Sequence, residues 1–253
     1  MTVRPGVGML ALFPAMNYKA WYAIGEFVDN ALQSWAANRH RLVEAFGDDA
    51  HLEIEVQFSE TSNTITVTDN AAGISEIDIP RAFTPASPPA DTSGLSQFGI
   101  GMKSAATWYA NDFTVTTSAL DENVRRTVHF DVPAIVESNR STIPLFEEPA
   151  GPLEHGTTLI LRHLNQPIPK GRTLGKIREY LQSIYRTFIA DPDVTIIVQG
   201  RKLAPVNPDL LTASRWDRPH EAPVEWKKDV AITLASGAKV TGWAGLLKDG
   251  QGF

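Results

Sequence analysis

Glu26 and Asn30 stand four residues apart in the segment Glu26-Phe27-Val28-Asp29-Asn30-Ala31. On a helix that spacing projects both side chains from one face, one turn from each other. A carboxylate can take a proton from water, and a carboxamide oxygen can ligate Mg²⁺, a hard cation that takes oxygen donors. Taken alone, the hexapeptide reads more simply as a solvated helix face. A second segment, Thr68-Asp69-Asn70-Ala71-Ala72-Gly73-Ile74, sets a carboxylate ahead of a tight loop. Asp69 could accept a hydrogen bond from an exocyclic amine, and Gly73 would let a flat base approach the backbone. An ordinary strand-ending turn accounts for the same residues.

A third segment is Gly94-Leu95-Ser96-Gln97-Phe98-Gly99-Ile100-Gly101-Met102-Lys103-Ser104. Here a glycine-containing loop runs into a predicted helix, whose unpaired N–H groups and positive dipole end can hold phosphate. Lys103 could add a point charge. The Gly-Lys-Ser/Thr order of a Walker loop is absent. In the fourth segment, His155-Gly156-Thr157-Thr158-Leu159-Ile160-Leu161, Thr157 could hold a water near Asp69; by itself it is a strand containing threonine.

The elements that must position these groups follow from periodicity. Ile24, Val28, Ala31 and Trp35 make one apolar stripe over Tyr18 to about Ala45, which predicts a helix ended by Gly47-Asp48-Asp49. Glu26, Asp29, Asn30 and Gln33 repeat the spacing on another face. Leu52, Ile54, Val56 and Phe58 alternate with polar residues, as do Ile65 and Val67 after the turn at 59–63. These predict a β-hairpin whose second strand ends at Asp69. Residues 80–98, with four prolines, read as a long irregular segment of the functional or mobile kind. Beyond it the pattern predicts a short helix over 101–109, a strand pair at 113–120 and 123–132, and a strand at 157–163. An amphipathic helix over Leu174–Phe188 and a strand at 194–199 follow.

Alternating rather than continuous apolar strands argue for an α+β sandwich, with helices on one face of a mixed, mostly antiparallel sheet. One domain is expected over 1–203. Pro205, Pro208, Pro219 and Pro223 then mark a linker, and 204–253 read as the beginning of a second domain that is cut short.

Composition bounds the function classes. The 253-residue chain has no cysteine, which excludes disulfide scaffolds and cysteine-based metal or redox sites. Its six histidines lack the close pairing of a zinc helix. A net charge of −6 argues against a dominant nucleic-acid surface on this chain. No apolar run reaches membrane-span length. Val7–Met16 loosely imitates a signal-peptide core, but Pro14 and the absent cleavage motif favour an N-terminal strap packed on the domain. The expected compartment is the cytoplasm.

Together, and in this order, the four segments resemble the signature motifs of the GHKL superfamily, the Bergerat-fold ATPases that include DNA gyrase, heat-shock ninety chaperones, sensor histidine kinases and MutL. The resemblance spans about residues 10–200. The third segment is most similar to MORC-type and heat-shock-ninety-like ATPases, with Met102-Lys103-Ser104 matching the end of the MORC version. The resemblance implies that Glu26 activates water for attack on the γ-phosphate of ATP and that Asn30 ligates Mg²⁺. It implies that Asp69 binds adenine, aided through water by Thr157, with Gly73 beneath the base and Ile74 and Gly94 in the same site. Backbone from Gln97 and Phe98 through Gly99, Ile100 and Gly101 to Met102 would wrap the phosphates beside Lys103, and residues 83–96 would form a mobile lid. Asp29 matches no role and reads as a solvated or helix-pairing acid. Ala71 and Ser96 depart from the pattern where glycine is usual, which puts loop conformation in question.

The function so implied is Mg-dependent ATP binding and slow hydrolysis acting as a dimerisation switch, weak in this chain by itself. DNA or a client protein would be engaged elsewhere in a longer chain, with MORC-like, MutL-like and defence-related roles all open. The alternatives are a histidine-kinase-type catalytic domain, disfavoured by Glu26 and by the lack of an acceptor-histidine hairpin, and a non-catalytic ATP-sensing module.

Overall fold

The apolar stripe around Ile24 becomes the inner side of helix α1, Ala20–Phe46. In the computed structural model, which describes residues 7–84, 99–139 and 142–248, Ile24, Val28, Ala31 and Trp35 are all buried. Gly47 ends the helix at φ 58°, its N–H returning to the Val43 carbonyl, a conformation that glycine adopts at little cost.

The two alternating runs form β1, Leu52–Ser59, and β2, Thr64–Asp69. They pair antiparallel, with Phe58 opposite Ile65, Val56 opposite Val67 and Ile54 opposite Asp69. A one-residue slip would turn every apolar side chain to the wrong face, so the pattern fixes the register. Of the segment expected to be irregular at 80–98, residues 85–98 lie outside the described residues and the beginning is helical. Residues Ile79–Phe83 form a short helix, α2, with Pro80 in its first turn, where a missing N–H costs nothing.

Helix α3, Gly101–Tyr109, runs directly into β3, Ala110–Ser118, and β4 covers Val124–Asp131. Two elements escape the periodicity argument. Helix α4, Val132–Ser138, is capped by Asp131, whose side chain accepts the Ala134 N–H, and β5, Leu145–Pro149, is an edge strand exposed at every position. Strand β6 spans Gly156–Leu164. The single helix expected over 174–188 is two, α5 at Gly171–Ile184 and α6 at Arg186–Ile189. They are separated at Tyr185, whose φ −100° and ψ 16° leave the helical region. Strands β7, Val194–Val198, and β8, Arg201–Lys202, follow.

The eight strands form one sheet in the order β5-β4-β3-β6-β2-β1-β7-β8. Neighbours are antiparallel except β1 with β7, so the sheet is mixed and mostly antiparallel, as expected. Its inward residues, among them Ile54, Val67, Phe113, Leu161 and Ile196, share one core with Ile24 and Val28 of α1, Ala105 of α3 and Ile177 of α5. A 3-10 helix at Val7–Ala15 precedes α1. Its Leu10 and Phe13 are buried in that core, and Trp108 of α3 donates its Nε1–H to the Met16 carbonyl at 3.1 Å. Residues 7–16 therefore pack on the domain as a strap.

The sheet and its helices lie in one compact unit, Met1–Pro205, and Val206–Phe253 form another. In the second, β9 (Thr212–Ala213) pairs with β10 (Val224–Glu225), and β11 (Lys227–Thr233) pairs with β12 (Lys239–Gly245). Among the described residues no helix is long and apolar enough to cross a membrane.

Candidate functional site

A cavity of about 500 Å³ opens between α1, the end of β2 and the start of α3. That size suits a small organic ligand. Helix α1 contributes Asn30, Ser34 and Asn38, spaced at one-turn intervals, so the face that meets the cavity extends the Glu26–Asn30 spacing towards the C-terminus. Asn30 donates its Nδ2–H to the Glu26 backbone carbonyl at 2.8 Å, which presents its carboxamide oxygen as the remaining acceptor.

Asp69 reaches the cavity because β2 ends there. Its Oδ1 accepts the Ala71 N–H at 3.0 Å. This local bond organises the loop at Ala71, which is fully buried and needs no left-handed conformation. Burial pushes the Asp69 carboxyl up to about 7, against the lowering effect of backbone N–H bonds from Ala71 and Thr157. Thr157 lies opposite Asp69 across the β2–β6 pair and lines the same cavity, as do Gly73 and Ile74.

Gly73 has φ +70°, and a Cβ there would collide with the Ser118 carbonyl oxygen. The need for glycine at 73 therefore comes first from the approach of β3, whatever base lies above it. Gly156 is a glycine of the same kind that the sequence did not single out: at φ +117°, its Cβ would meet the Asp69 carbonyl oxygen. Thr117 is another. Its buried hydroxyl accepts the Ile74 N–H at 2.9 Å, donates to the Gly156 carbonyl at 3.0 Å and lies 3.1 Å from Thr157 Oγ1. It joins both loops of the cavity wall.

Gly99, Gly101, Met102 and Lys103 line the other end. Gly99 has φ +62°, Ile100 occupies the N-cap position of α3, and the Ser104 N–H makes an early helical bond to the Ile100 carbonyl at 2.9 Å. The N–H groups of the first turn have no partner within a helix, so the α3 N-terminus is built to receive an anion. Lys103 is buried, and its Nζ donates to the Ala82 carbonyl of α2 at 2.7 Å. Burial, followed by the charge of Arg81, lowers its amine to about 8.

Glu26 stands apart from this lining. It borders a neighbouring cavity of about 380 Å³ with Asp29, Tyr18 and Tyr185. The glutamate is nevertheless at the partition, since a Cβ on Gly101 would collide with Glu26 Oε2. Burial raises the Glu26 carboxyl, the Asp29 charge raises it further, and the Tyr18 hydrogen bond opposes both. Of the two readings of Asp29, solvated or helix-pairing, the structure supports the second. The Tyr185 hydroxyl lies 2.7 Å from its Oδ1 and 2.9 Å from the Gly25 carbonyl, because the break between α5 and α6 turns that ring onto α1.

The structure thus gathers Asn30, Asp69, Gly73, Ile74, Gly99, Gly101, Met102, Lys103 and Thr157 around one cavity, with Ile100 behind it and Glu26 against Gly101. Gly94, Gln97 and Phe98, Ser96 and nearly all of the expected lid at 83–96 lie outside the described residues. Ser34 also lines the cavity, and its hydroxyl oxygen is buried without a hydrogen-bond partner among the described residues. An acid at one end and a helix N-terminus at the other are groups that suit the amine and the phosphates of an adenine nucleotide. Among the described residues no group of three or more His, Asp or Glu side chains could hold a metal ion by itself. Mg²⁺, which keeps several waters and takes phosphate oxygens with one or two protein oxygens, fits the single donor that Asn30 offers.

A search of the curated proteins finds no match to the chain. The family model for histidine kinase-, DNA gyrase B- and HSP90-like ATPases matches residues 18–157. That span holds the first three segments and the start of the fourth, through Thr157, and covers more than half of the chain: this protein belongs to the histidine kinase-, DNA gyrase B- and HSP90-like ATPase family.

Proposed function

We propose that the domain binds Mg–ATP in the cavity between α1 and β2 and hydrolyses it slowly, using the bound state as a switch for conformation and dimerisation. The observation that carries this reading is the shared cavity of Asn30, Asp69 and the α3 N-terminus, at the heart of a span matching an ATPase family. Asp69 accepts the adenine amine. Backbone N–H groups from Gly99 to Met102 hold the phosphates. Asn30 provides an oxygen for Mg²⁺, which when bound supplies positive charge to the triphosphate.

Glu26 takes the proton in this reading, which is supported by its Oε2 abutting the first residue of the phosphate-holding helix. In the reaction a water oxygen bonds to the γ-phosphorus and the bond from that phosphorus to the bridging oxygen of ADP breaks. The proton of the water passes to Glu26, and ADP and inorganic phosphate leave. A single general base contributes about 10²–10⁴-fold, which makes slow turnover the expectation.

The resemblance of Gln97–Ser104 in sequence to the MORC version of the motif favours a MORC- or MutL-like, DNA-linked or defence-related process, with DNA or a client protein held by other regions. An ATP-sensing module without hydrolysis is the second reading, favoured by Glu26 bordering the neighbouring cavity rather than the one with Asn30 and Asp69. Phosphate release by Glu26→Ala separates the two. Loss of release with ATP binding intact supports hydrolysis, whereas release unchanged from wild type leaves the first reading without its base.

A further inference from the structure

Tyr18 precedes α1, in the connection between the strap and the helix, yet its hydroxyl lies 3.3 Å from Glu26 Oε1. Its place is set from α3. The Tyr18 N–H bonds the Met16 carbonyl at 2.8 Å, and the same carbonyl accepts the Trp108 indole N–H at 3.1 Å. The Tyr18 and Trp108 rings are 5.9 Å apart and inclined by 40°. Burial raises the Tyr18 phenol, and the hydroxyl of Ser104 opposes this by lowering it. That hydroxyl, in the first turn of the helix that starts at Gly101, donates to the Gly101 carbonyl at 3.0 Å. Glu26 Oε1 thus accepts a hydrogen bond from Tyr18, while Oε2 lies against Gly101.

A glutamate side chain on a helix surface samples several rotamers, and a base that wanders by an ångström loses much of its effect. We propose that Tyr18 is a positioning residue for ATP hydrolysis, its O–H donating to Glu26 Oε1 so that Oε2 is turned towards the phosphate-holding end of α3. The inference rests on Glu26 acting as the base. It extends the site to a residue of the strap connection, outside the four motifs.

The test compares wild type, Tyr18→Phe and Glu26→Gln in the full chain. Each is measured for affinity for a non-hydrolysable ATP analogue by calorimetry, for single-turnover hydrolysis with enzyme in excess, and for melting temperature. Tyr18→Phe keeps the ring that packs on Trp108. The expected result is a rate lower by roughly tenfold or more, as misplacement of a catalytic group produces, with affinity within about twofold of wild type and the melting temperature little changed. Wild-type hydrolysis by Tyr18→Phe beside an inactive Glu26→Gln would overturn the positioning role and leave the base in place. Rate, affinity and melting temperature falling together in Tyr18→Phe would mark a packing role and overturn it too. Wild-type hydrolysis by Glu26→Gln would remove the base itself, and the inference with it.

Discussion

Gly101 and Glu26 touch across the partition between two cavities: there is no room for a methyl group on the first residue of α3 without displacing the Glu26 carboxylate oxygen. The obstacle is the end of a flexible side chain, not backbone. Gly101→Ala is therefore expected to fold with a melting temperature near that of wild type, because Glu26 can swing aside. Its phosphate release should drop by about 10²-fold, the cost of a misplaced base. Thermal melts and phosphate release on the same preparation check both halves.

Gly73 and Gly156 should behave in the opposite way. Both have positive φ, and a side chain at either would meet a backbone carbonyl, that of Ser118 or Asp69. Neither strand can yield without disturbing the sheet. Alanine at either position is predicted to destabilise the domain by roughly 3 kcal/mol or more, since backbone strain and overpacking act together. Urea denaturation measures this; a loss under about 1 kcal/mol would show that the loops relax freely.

Asp69 gives the site a pH dependence. In the proposed site its carboxylate is a stronger acceptor for the adenine amine than the protonated acid, and burial raises its carboxyl from the ordinary aspartate range to about 7. ATP affinity should therefore be nearly constant above about pH 8 and weaken as pH falls through 7, by at most about tenfold per unit. For the ligand-free protein the sign reverses. A carboxyl raised on folding contributes stability that is fully present below its unfolded value near 4 and lost as pH rises through about 7. Asp69→Asn should abolish the pH dependence of affinity, and at pH 8 it should raise the melting temperature of the ligand-free protein.

Thr117 carries no part of any motif, yet its hydroxyl accepts the Ile74 N–H and donates to the Gly156 carbonyl. Thr117→Val keeps the shape and removes both bonds. The predicted loss is about 1–3 kcal/mol of stability for a buried amide left unpaired, together with weaker nucleotide binding, because the loops that carry Gly73 and Thr157 lose their common anchor. Denaturation and calorimetry with the ATP analogue read the two effects.

The helix and hairpin that carry Glu26, Asn30 and Asp69 were legible because local periodicity determines them. Ile24, Val28, Ala31 and Trp35 could be buried together only on a helix, and Leu52 to Phe58 only on a strand. What stayed hidden depends on partners distant in sequence. Thr117 meets Thr157 because β6 inserts between β3 and β2, an order no local pattern encodes. The role of Asp29 required knowing that the α5–α6 break brings Tyr185 to α1. Strand β5 is exposed at every position, so it shows no alternation to read. Helix α2 is obscured by Pro80, which lies in its first turn. The sequence pattern also placed Glu26 and Asn30 on one face without revealing that Gly101 stands between the glutamate and the main cavity.

The most direct test of the account is calorimetric titration of the chain with a non-hydrolysable ATP analogue, with Mg²⁺ and with EDTA, for wild type, Asp69→Asn and Asn30→Ala. The account predicts saturable one-to-one binding by wild type that is tightened by Mg²⁺. It predicts a loss of about 10–150-fold for Asp69→Asn, the worth of one hydrogen bond to a charged acceptor, and loss of the Mg²⁺ dependence in Asn30→Ala. No binding by wild type at millimolar nucleotide, or binding equal in strength and Mg²⁺ dependence in all three proteins, would contradict it.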